Sequence, residues 1–242
     1  MRSTIYQLAE RLSGRLSDGG PWYHETNLDH FIVEPWNAWS SLTFLIPAIA
    51  FLWKLRGAYS RHPFITYIAI PLLMLGGTGS TLYHAFRASQ AMLLLDFLPI
   101  ALLTLSVSIY FLYHVTRSAW LTALIVLGSF SLRFLIWGRV DGHAAINLSY
   151  AITGTLIFVP ALIYLHQTAY LSVRTLTFSI VAFVLALFFR YADELPTPWI
   201  PMGTHWLWHV FCAIGAWFLG MYLYTTREDF MAKRLKPANI KG

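Results

Sequence analysis

The sequence predicts an all-α integral membrane protein that forms a single bundle of seven transmembrane helices. Of its 242 residues, 57% are hydrophobic and 12% are charged, a balance that soluble domains of this size do not tolerate. Apolar stretches of about 20 residues, the length that crosses a hydrocarbon core, recur along the chain. Short loops separate them and leave no room for a second domain, so residues 1–242 are predicted to form one domain.

Uninterrupted apolar runs place the seven spans. They are 38–55, 64–86, 91–113, 118–138, 146–166, 173–190 and 204–225. The fourth and sixth are less clear than the others, because Arg133 and Arg190 fall near their ends and must reach the interface or find partners. Before the first span, residues 4–17 have apolar side chains at helical spacing, which is typical of a surface amphipathic helix or, equally, of a frayed tail.

The basic residues favour an extracytoplasmic or lumenal N-terminus and a cytoplasmic C-terminus. In this orientation, only Glu228 and Asp229 of the 11 carboxylates lie inside, and residues 226–242 form a basic cytoplasmic tail after an extracytoplasmic segment 1–37. Ten of the 17 basic residues then lie inside: Lys54, Arg56, Arg61, Arg117, Arg174, Arg227, Lys233, Arg234, Lys236 and Lys241. Against it, three arginines would cross the membrane without a recognisable signal peptide: Arg2, Arg11 and Arg15.

The net charge of +6 does not indicate nucleic acid as a partner. The basic residues lie between and after apolar runs instead of on one soluble face, so anionic lipid of the bilayer is the expected counter-charge.

Three histidines and one aspartate inside apolar runs are predicted to lie at the same, outer end of their helices. His84 is near the outer end of the second span, with Ser80 one turn away on the same face. Asp96 lies just inside the third span, where an ionised carboxylate needs a partner. His205 and His209, four residues apart, project from one face at the start of the seventh span.

Three neutral imidazoles at one depth predict a zinc site with an open fourth position, the arrangement that zinc uses to activate water. Each piece alone has other interpretations. An H-x-x-x-H pair also serves as haem ligands or as a hydrogen-bonded core pair. Ser80 could bond back to its own helix, and Asp96 could pair with an arginine or a histidine.

These residues give the chain a resemblance to the alkaline ceramidases, seven-helix membrane hydrolases in a superfamily that includes adiponectin-receptor-like proteins. The similar segments are EPWNAWSSL at 34–42, GTGSTLYHAF at 77–86, LLLDFLP at 93–99 and HWLWH at 205–209. The resemblance implies zinc ligands at His84, His205 and His209 and catalytic roles for Ser80 and Asp96. One departure is Phe97, where the family usually has a glutamate after the aspartate.

Animal members of that family also hold a calcium ion just before the first helix. Glu25, Asn27 and Glu34 are similar to its ligands, although Trp22 stands where a further carboxylate is expected. The alternative is that Glu25 and Asn27 are solvated loop residues and that Glu34 caps the first helix.

The expected function is that of a zinc-dependent intramembrane amidase, which hydrolyses a ceramide-like N-acyl lipid of the bilayer to a sphingoid base and a fatty acid. Two alternatives stay open. One is a non-enzymatic seven-helix receptor or transporter with a structural metal, and the other is a hydrolase of a different lipid amide or ester.

Overall fold

The computed structural model describes residues 16–140, 142–195 and 200–235, and this part of the chain is all-helical, without strands. The α-helices are α1 Pro35–Ser41, α2 Leu45–Lys54, α3 Ile70–Phe86, α4 Gln90–Thr116, α5 Ala119–Ile136, α6 Gly142–Gln167, α7 Val173–Ala192 and α8 His205–Leu235. Single 3₁₀ turns occupy Leu42–Phe44 and Tyr59–Arg61, and a π-helical segment, Ile65–Ala69, leads into α3.

Six of the described helices are long and apolar enough to cross a membrane. They are Ile65–Phe86, Gln90–Thr116, Ala119–Ile136, Ala144–Gln167, Val173–Ala192 and His205–Ala232. The predicted membrane protein is therefore confirmed in its class, and seven spans are not confirmed.

The missing span is the first one, predicted at 38–55. Here α1, the 3₁₀ turn and α2 follow one another without a gap. None of the three reaches 18 residues, the shortest helix counted as able to cross a membrane. Pro47 explains the interruption, because it has no N–H for the carbonyl of Thr43 and its ring crowds that carbonyl.

The other helices lie close to their predicted positions, with one large difference at the C-terminal end. Helix α8 extends to Leu235, ten residues beyond the predicted span. Apolar character marks the part of a helix that lies in lipid, and the polar residues after Tyr224 continue the same helix beyond it. Residues 1–15, which hold most of the predicted amphipathic segment, and the last seven residues of the basic tail lie outside the described residues.

An apolar core fills the end of the bundle at which α2 and α4 end and α7 begins. Its fully buried members include Phe51, Leu55, Phe111, Leu176 and Tyr222. The opposite end, called the polar end below, contains the buried Asp, Glu and Arg side chains of the described residues, so the two ends have different chemistry.

Helices α3 and α4 pack closely through two glycines. A Cβ atom added to Gly79 would lie 2.3 Å from the backbone oxygen of Leu95, and one added to Gly76 would lie 2.5 Å from the side chain of Ile100. Such close backbone approach is typical of small residues in membrane helix pairs. It fixes the position of Ser80 and His84 on α3 relative to Asp96 on α4.

Replacing Gly79 with alanine is expected to destabilise the protein, because the neighbouring atom is backbone and cannot rotate away. Overpacking of this kind costs about 1–3 kcal/mol, and the thermal unfolding midpoint in detergent should fall by several degrees. Gly128→Ala on α5 is the matched control, since nothing lies within 4 Å of its added Cβ. Equal midpoints for the two variants would contradict the packing described here.

Candidate metal centre

The three predicted histidines lie together at the polar end of the bundle. His84, near the end of α3, is fully buried, and His205 and His209, in the first two turns of α8, are 3% exposed. One ring nitrogen from each lies within 4.8 Å of the others. It is the only group of three or more His, Cys, Asp or Glu side chains at ligand distances in the described part of the chain.

Glu34, immediately before α1, forms hydrogen bonds to His84 through both its backbone and its side chain. Its N–H donates to the His84 carbonyl at 3.1 Å, and its carboxylate oxygen Oε2 lies 2.5 Å from His84 Nδ1. Because a carboxylate only accepts, Nδ1 carries the hydrogen and the lone pair of the ring lies on Nε2. That Nε2 atom is buried and has no hydrogen-bond partner among the described residues.

Both Glu34 oxygens are occupied, and the second one bonds to Arg87. Arg87 Nη1 donates to Oε1 at 2.5 Å, and the Thr26 hydroxyl donates to the same oxygen at 2.6 Å. Burial alone would raise the pKa of the Glu34 carboxyl, but Arg87 and the His84 hydrogen bond hold that pKa below its usual value. Glu34 is therefore the anionic partner that orients His84.

Arg87 joins Glu34 to the N-terminal segment. Its Nε donates to Asp18 at 2.7 Å and its Nη2 to the Pro21 carbonyl at 3.0 Å. Arg87 also has a left-handed backbone, with φ of 45°, at the residue where α3 ends. A non-glycine residue in that region is strained, and these ion pairs hold it there.

His209 is oriented by hydroxyl groups of α1. The Ser40 and Ser41 oxygens lie 2.9 and 3.2 Å from His209 Nδ1, and both hydroxyls donate to the Asn37 carbonyl. Since their hydrogens are used on that carbonyl, Nδ1 of His209 donates to the serine oxygens. The lone pair of His209 then lies on Nε2, as it does in His84.

Ser80 belongs to the same hydrogen-bonded group. Its hydroxyl lies 2.9 Å from the Ser41 hydroxyl and is 2% exposed. Ser80 therefore reaches His209 through Ser41.

His205 is positioned by the cap of its own helix and by an aromatic ring. Asp193, directly after α7, accepts hydrogen bonds from the N–H groups of Thr204 and His205 at 2.5 and 3.0 Å. Burial raises the pKa of the Asp193 carboxyl. The Tyr23 ring stacks on the His205 ring with centroids 4.0 Å apart, and Nδ1 of His205 has no partner within the described residues.

Asp96 lies outside the histidine cluster. Its carboxylate is half-buried, and its charge acts on Tyr23 and on Tyr150 of α6. No described residue makes a hydrogen bond or ion pair with it. Asp96 thus lies at the same end of the bundle as the histidines, without a partner in the part of the chain that the structure describes.

The donor set fits a zinc ion. It consists of imidazoles alone. His84 and His205 each have a buried nitrogen without a hydrogen-bond partner among the described residues. Hydrogen bonds to Nδ1 fix the ring orientation of His84 and of His209. Nitrogens that share a tetrahedral zinc are about 3.3 Å apart, so the three rings would lie closer to one another around an ion than the 4.8 Å limit within which they lie here.

The predicted calcium ligands have other contacts. Glu25 accepts hydrogen bonds from the N–H groups of Trp36 and Asn37 at 2.8 and 2.6 Å and thereby caps α1. Burial raises its pKa to about 7. Asn27 bonds to His30 and to the N–H of Asp29 within its own loop. Calcium binding stays a prediction, and Arg87 already supplies a positive charge to Glu34.

An apolar cavity begins beside the histidines and runs through the bundle. Its lining includes Phe44, whose ring lies 6.3 Å from that of His209. On α8, lining residues extend from Trp208 to Leu223, a distance of about 22 Å along a helix. The length of this lining suits an extended hydrocarbon chain.

Several residues of the centre could not be predicted from the sequence. Arg87, Asp18, Tyr23 and the two serines of α1 come from loops or from the short first helices, where no periodicity marks a face. For Arg190 the sequence did indicate a buried contact, because this arginine is a lone charge at the end of an apolar run and needs a partner or the interface. In the structure it is buried and its Nε donates to Asn147 at 3.2 Å.

No protein-family model matches the chain, and a search of curated protein sequences likewise gives no match. The functional interpretation therefore depends on the residues of the site.

Replacing Glu34 with glutamine is expected to weaken zinc binding by about 10- to 100-fold, because His84 loses its anionic partner. Competition with a chelator of known affinity measures the zinc dissociation constant. The matched control is Glu228→Gln, which removes a carboxylate that lies 2.7 Å from His62 near the other end of α8. Zinc affinities that are equal in both variants and in the unchanged protein would contradict the role of Glu34.

Proposed function

We propose that the protein is a zinc-dependent intramembrane hydrolase that cleaves the amide bond of a ceramide-like N-acyl lipid. One observation carries the proposal. Three buried imidazoles, two of them with an unpartnered nitrogen, converge within 4.8 Å at the end of a long apolar cavity. A metal at that point would meet the polar group of a lipid whose chain fills the cavity.

His84, His205 and His209 would hold the zinc ion. The chemistry that zinc supplies in such a site is that of a Lewis acid, which makes water nucleophilic near neutral pH. The chain contributes the orientation of the ligands, through Glu34 for His84 and through the α1 serines for His209.

Asp96 is the proposed general base and acid. Its carboxylate has no partner among the described residues and would accept a proton from the attacking water and return it to the leaving nitrogen. The acyl carbon then gains the water oxygen and loses its bond to nitrogen, which yields a fatty acid and a free amine.

Ser80 contributes to the arrangement of the site. Its hydroxyl, linked through Ser41, supports the hydrogen bond that orients His209. The catalytic role that the resemblance implies for Ser80 would be a hydrogen bond to the oxyanion or to the attacking water.

The polarity of the cavity supports a substrate with a long hydrocarbon chain. Its lining is aliphatic and aromatic apart from a few hydroxyls such as Thr104, Thr153 and Ser179, which suits an acyl chain. With the orientation that the basic residues favour, the metal centre lies near the extracytoplasmic or lumenal face, and the lipid enters from that leaflet.

Replacing His209 with alanine is expected to remove both the metal and the activity. The purified protein should release fatty acid from a panel of ceramides, a chelator should stop the release, and added zinc should restore it. In His209→Ala, release should fall to background and bound zinc to a small fraction of one equivalent. Metal analysis and product identification by mass spectrometry provide the two measurements.

His114→Ala is the control. This histidine lies in the last turn of α4, bonded to the Tyr110 carbonyl, and should not affect zinc or turnover. Bound zinc with no turnover of any N-acyl lipid or lipid ester would favour a receptor or transporter with a structural metal. Full zinc content in His209→Ala would remove that residue from the site.

A further inference from the structure

Tyr23 lies against the metal centre and Arg190 lies beside two rings of the cavity lining, and the mechanism above uses neither. Tyr23 belongs to the segment before α1, and Arg190 lies at the end of α7. Three separate contacts place them, and together these contacts define what the pair can do.

The first contact joins Tyr23 to the metal ligands. Its ring stacks on His205 with centroids 4.0 Å apart and lies 5.5 Å from the His84 ring. The phenol is thereby held against two of the three imidazoles.

The second contact joins Arg190 to the lining of the cavity. The guanidinium carbon lies 5.1 Å from the centre of the Tyr150 ring and 5.5 Å from that of Trp208. Both rings line the cavity near the histidines, so Arg190 lies where the chain of a bound lipid would meet its polar group.

The third contact joins the two side chains. The guanidinium of Arg190 is within interaction range of the Tyr23 hydroxyl. Within the described part of the chain, no carbonyl or carboxylate accepts a hydrogen bond from that hydroxyl, and no carboxylate forms an ion pair with Arg190. A tyrosine hydroxyl is both an acceptor and a donor, so it can accept a hydrogen bond from Arg190 and still donate its own hydrogen. Among the described residues, the hydrogen of the Tyr23 hydroxyl is therefore available to an acceptor on a ligand.

We propose that the Tyr23 hydroxyl, oriented by Arg190, donates a hydrogen bond to the acyl carbonyl oxygen of the lipid and stabilises the negative charge that develops on it. This inference rests on the proposed function and adds a catalytic residue, Tyr23, and a positioning residue, Arg190. Ser80 is less suited to this role, since it is 2% exposed and its hydroxyl already lies against Ser41. A donor aimed at a developing oxyanion acts mainly in the transition state, so its loss lowers kcat more than it raises KM.

The first test is kinetic. Tyr23→Phe removes one oxygen and keeps the ring that stacks on His205. It should lower kcat for ceramide hydrolysis by about 100-fold with little change in KM, and bound zinc should stay at the level of the unchanged protein. Tyr83→Phe is the matched control, because its ring also contacts His84, with centroids 5.1 Å apart, while its hydroxyl has no partner among described residues and packs against Gly20.

The second test uses neither zinc nor turnover. In chelator-treated protein, fluorescence titration compares the affinity for a ceramide with that for an ether-linked analogue that lacks the carbonyl oxygen. The hydrogen bond from Tyr23 should favour the ceramide by about three- to tenfold, and Tyr23→Phe should abolish the difference. Arg190→Gln should reduce it, and Arg190→Lys, which keeps a positive donor, should restore part of it.

The outcomes separate this inference from the proposed function. If the unchanged protein hydrolyses no N-acyl lipid, the proposed function fails, and the titration with the metal-free protein alone decides whether Tyr23 binds a carbonyl. If hydrolysis occurs but Tyr23→Phe keeps both kcat and the preference for the ceramide, the inference is overturned. Loss of zinc from Tyr23→Phe would also overturn it, because the residue would then act through His205.

Discussion

The arrangement of the polar end of this protein depends on one buried interaction, the contact of the Glu34 carboxylate with His84. The same carboxylate is bound by Arg87, and Arg87 is bound by Asp18 of the N-terminal segment. A buried ion pair adds little net stability, but removing one partner costs about 3–5 kcal/mol, because it leaves a charge without compensation. The network therefore determines where the N-terminal segment lies and which nitrogen of His84 is free.

This constraint extends to the rest of the centre. With the segment held by Asp18 and Glu34, Tyr23 lies over His205, and Glu25 caps α1. The capped helix α1 then directs its two serines at His209. Each imidazole is thus oriented by a contact from the region before α2, although none of the three belongs to it. The short, interrupted first helices are consistent with this role, since they supply oriented groups to the site.

The sequence allowed the histidine cluster to be predicted because regular helices convert spacing into position. His205 and His209 share a face at four-residue spacing, and the distribution of charged residues placed the ends of the helices. The same reasoning located the six long helices. It was less successful for 38–55, where the apolar character is continuous but Pro47 interrupts the backbone pattern. The resemblance assigned Glu34 to a calcium site, which stays a prediction, whereas the contact of Glu34 with His84, 50 residues later, could not be predicted from the sequence.

The central claim is that the three imidazoles share one zinc ion, and X-ray absorption at the zinc edge of the purified protein tests it most directly. The account predicts one zinc per chain with three nitrogen neighbours at about 2.0–2.1 Å and a further light atom, and the loss of one imidazole from that signal when any of the three histidines is replaced. A protein that stays free of zinc after loading, or a zinc signal that none of these replacements alters, would contradict it.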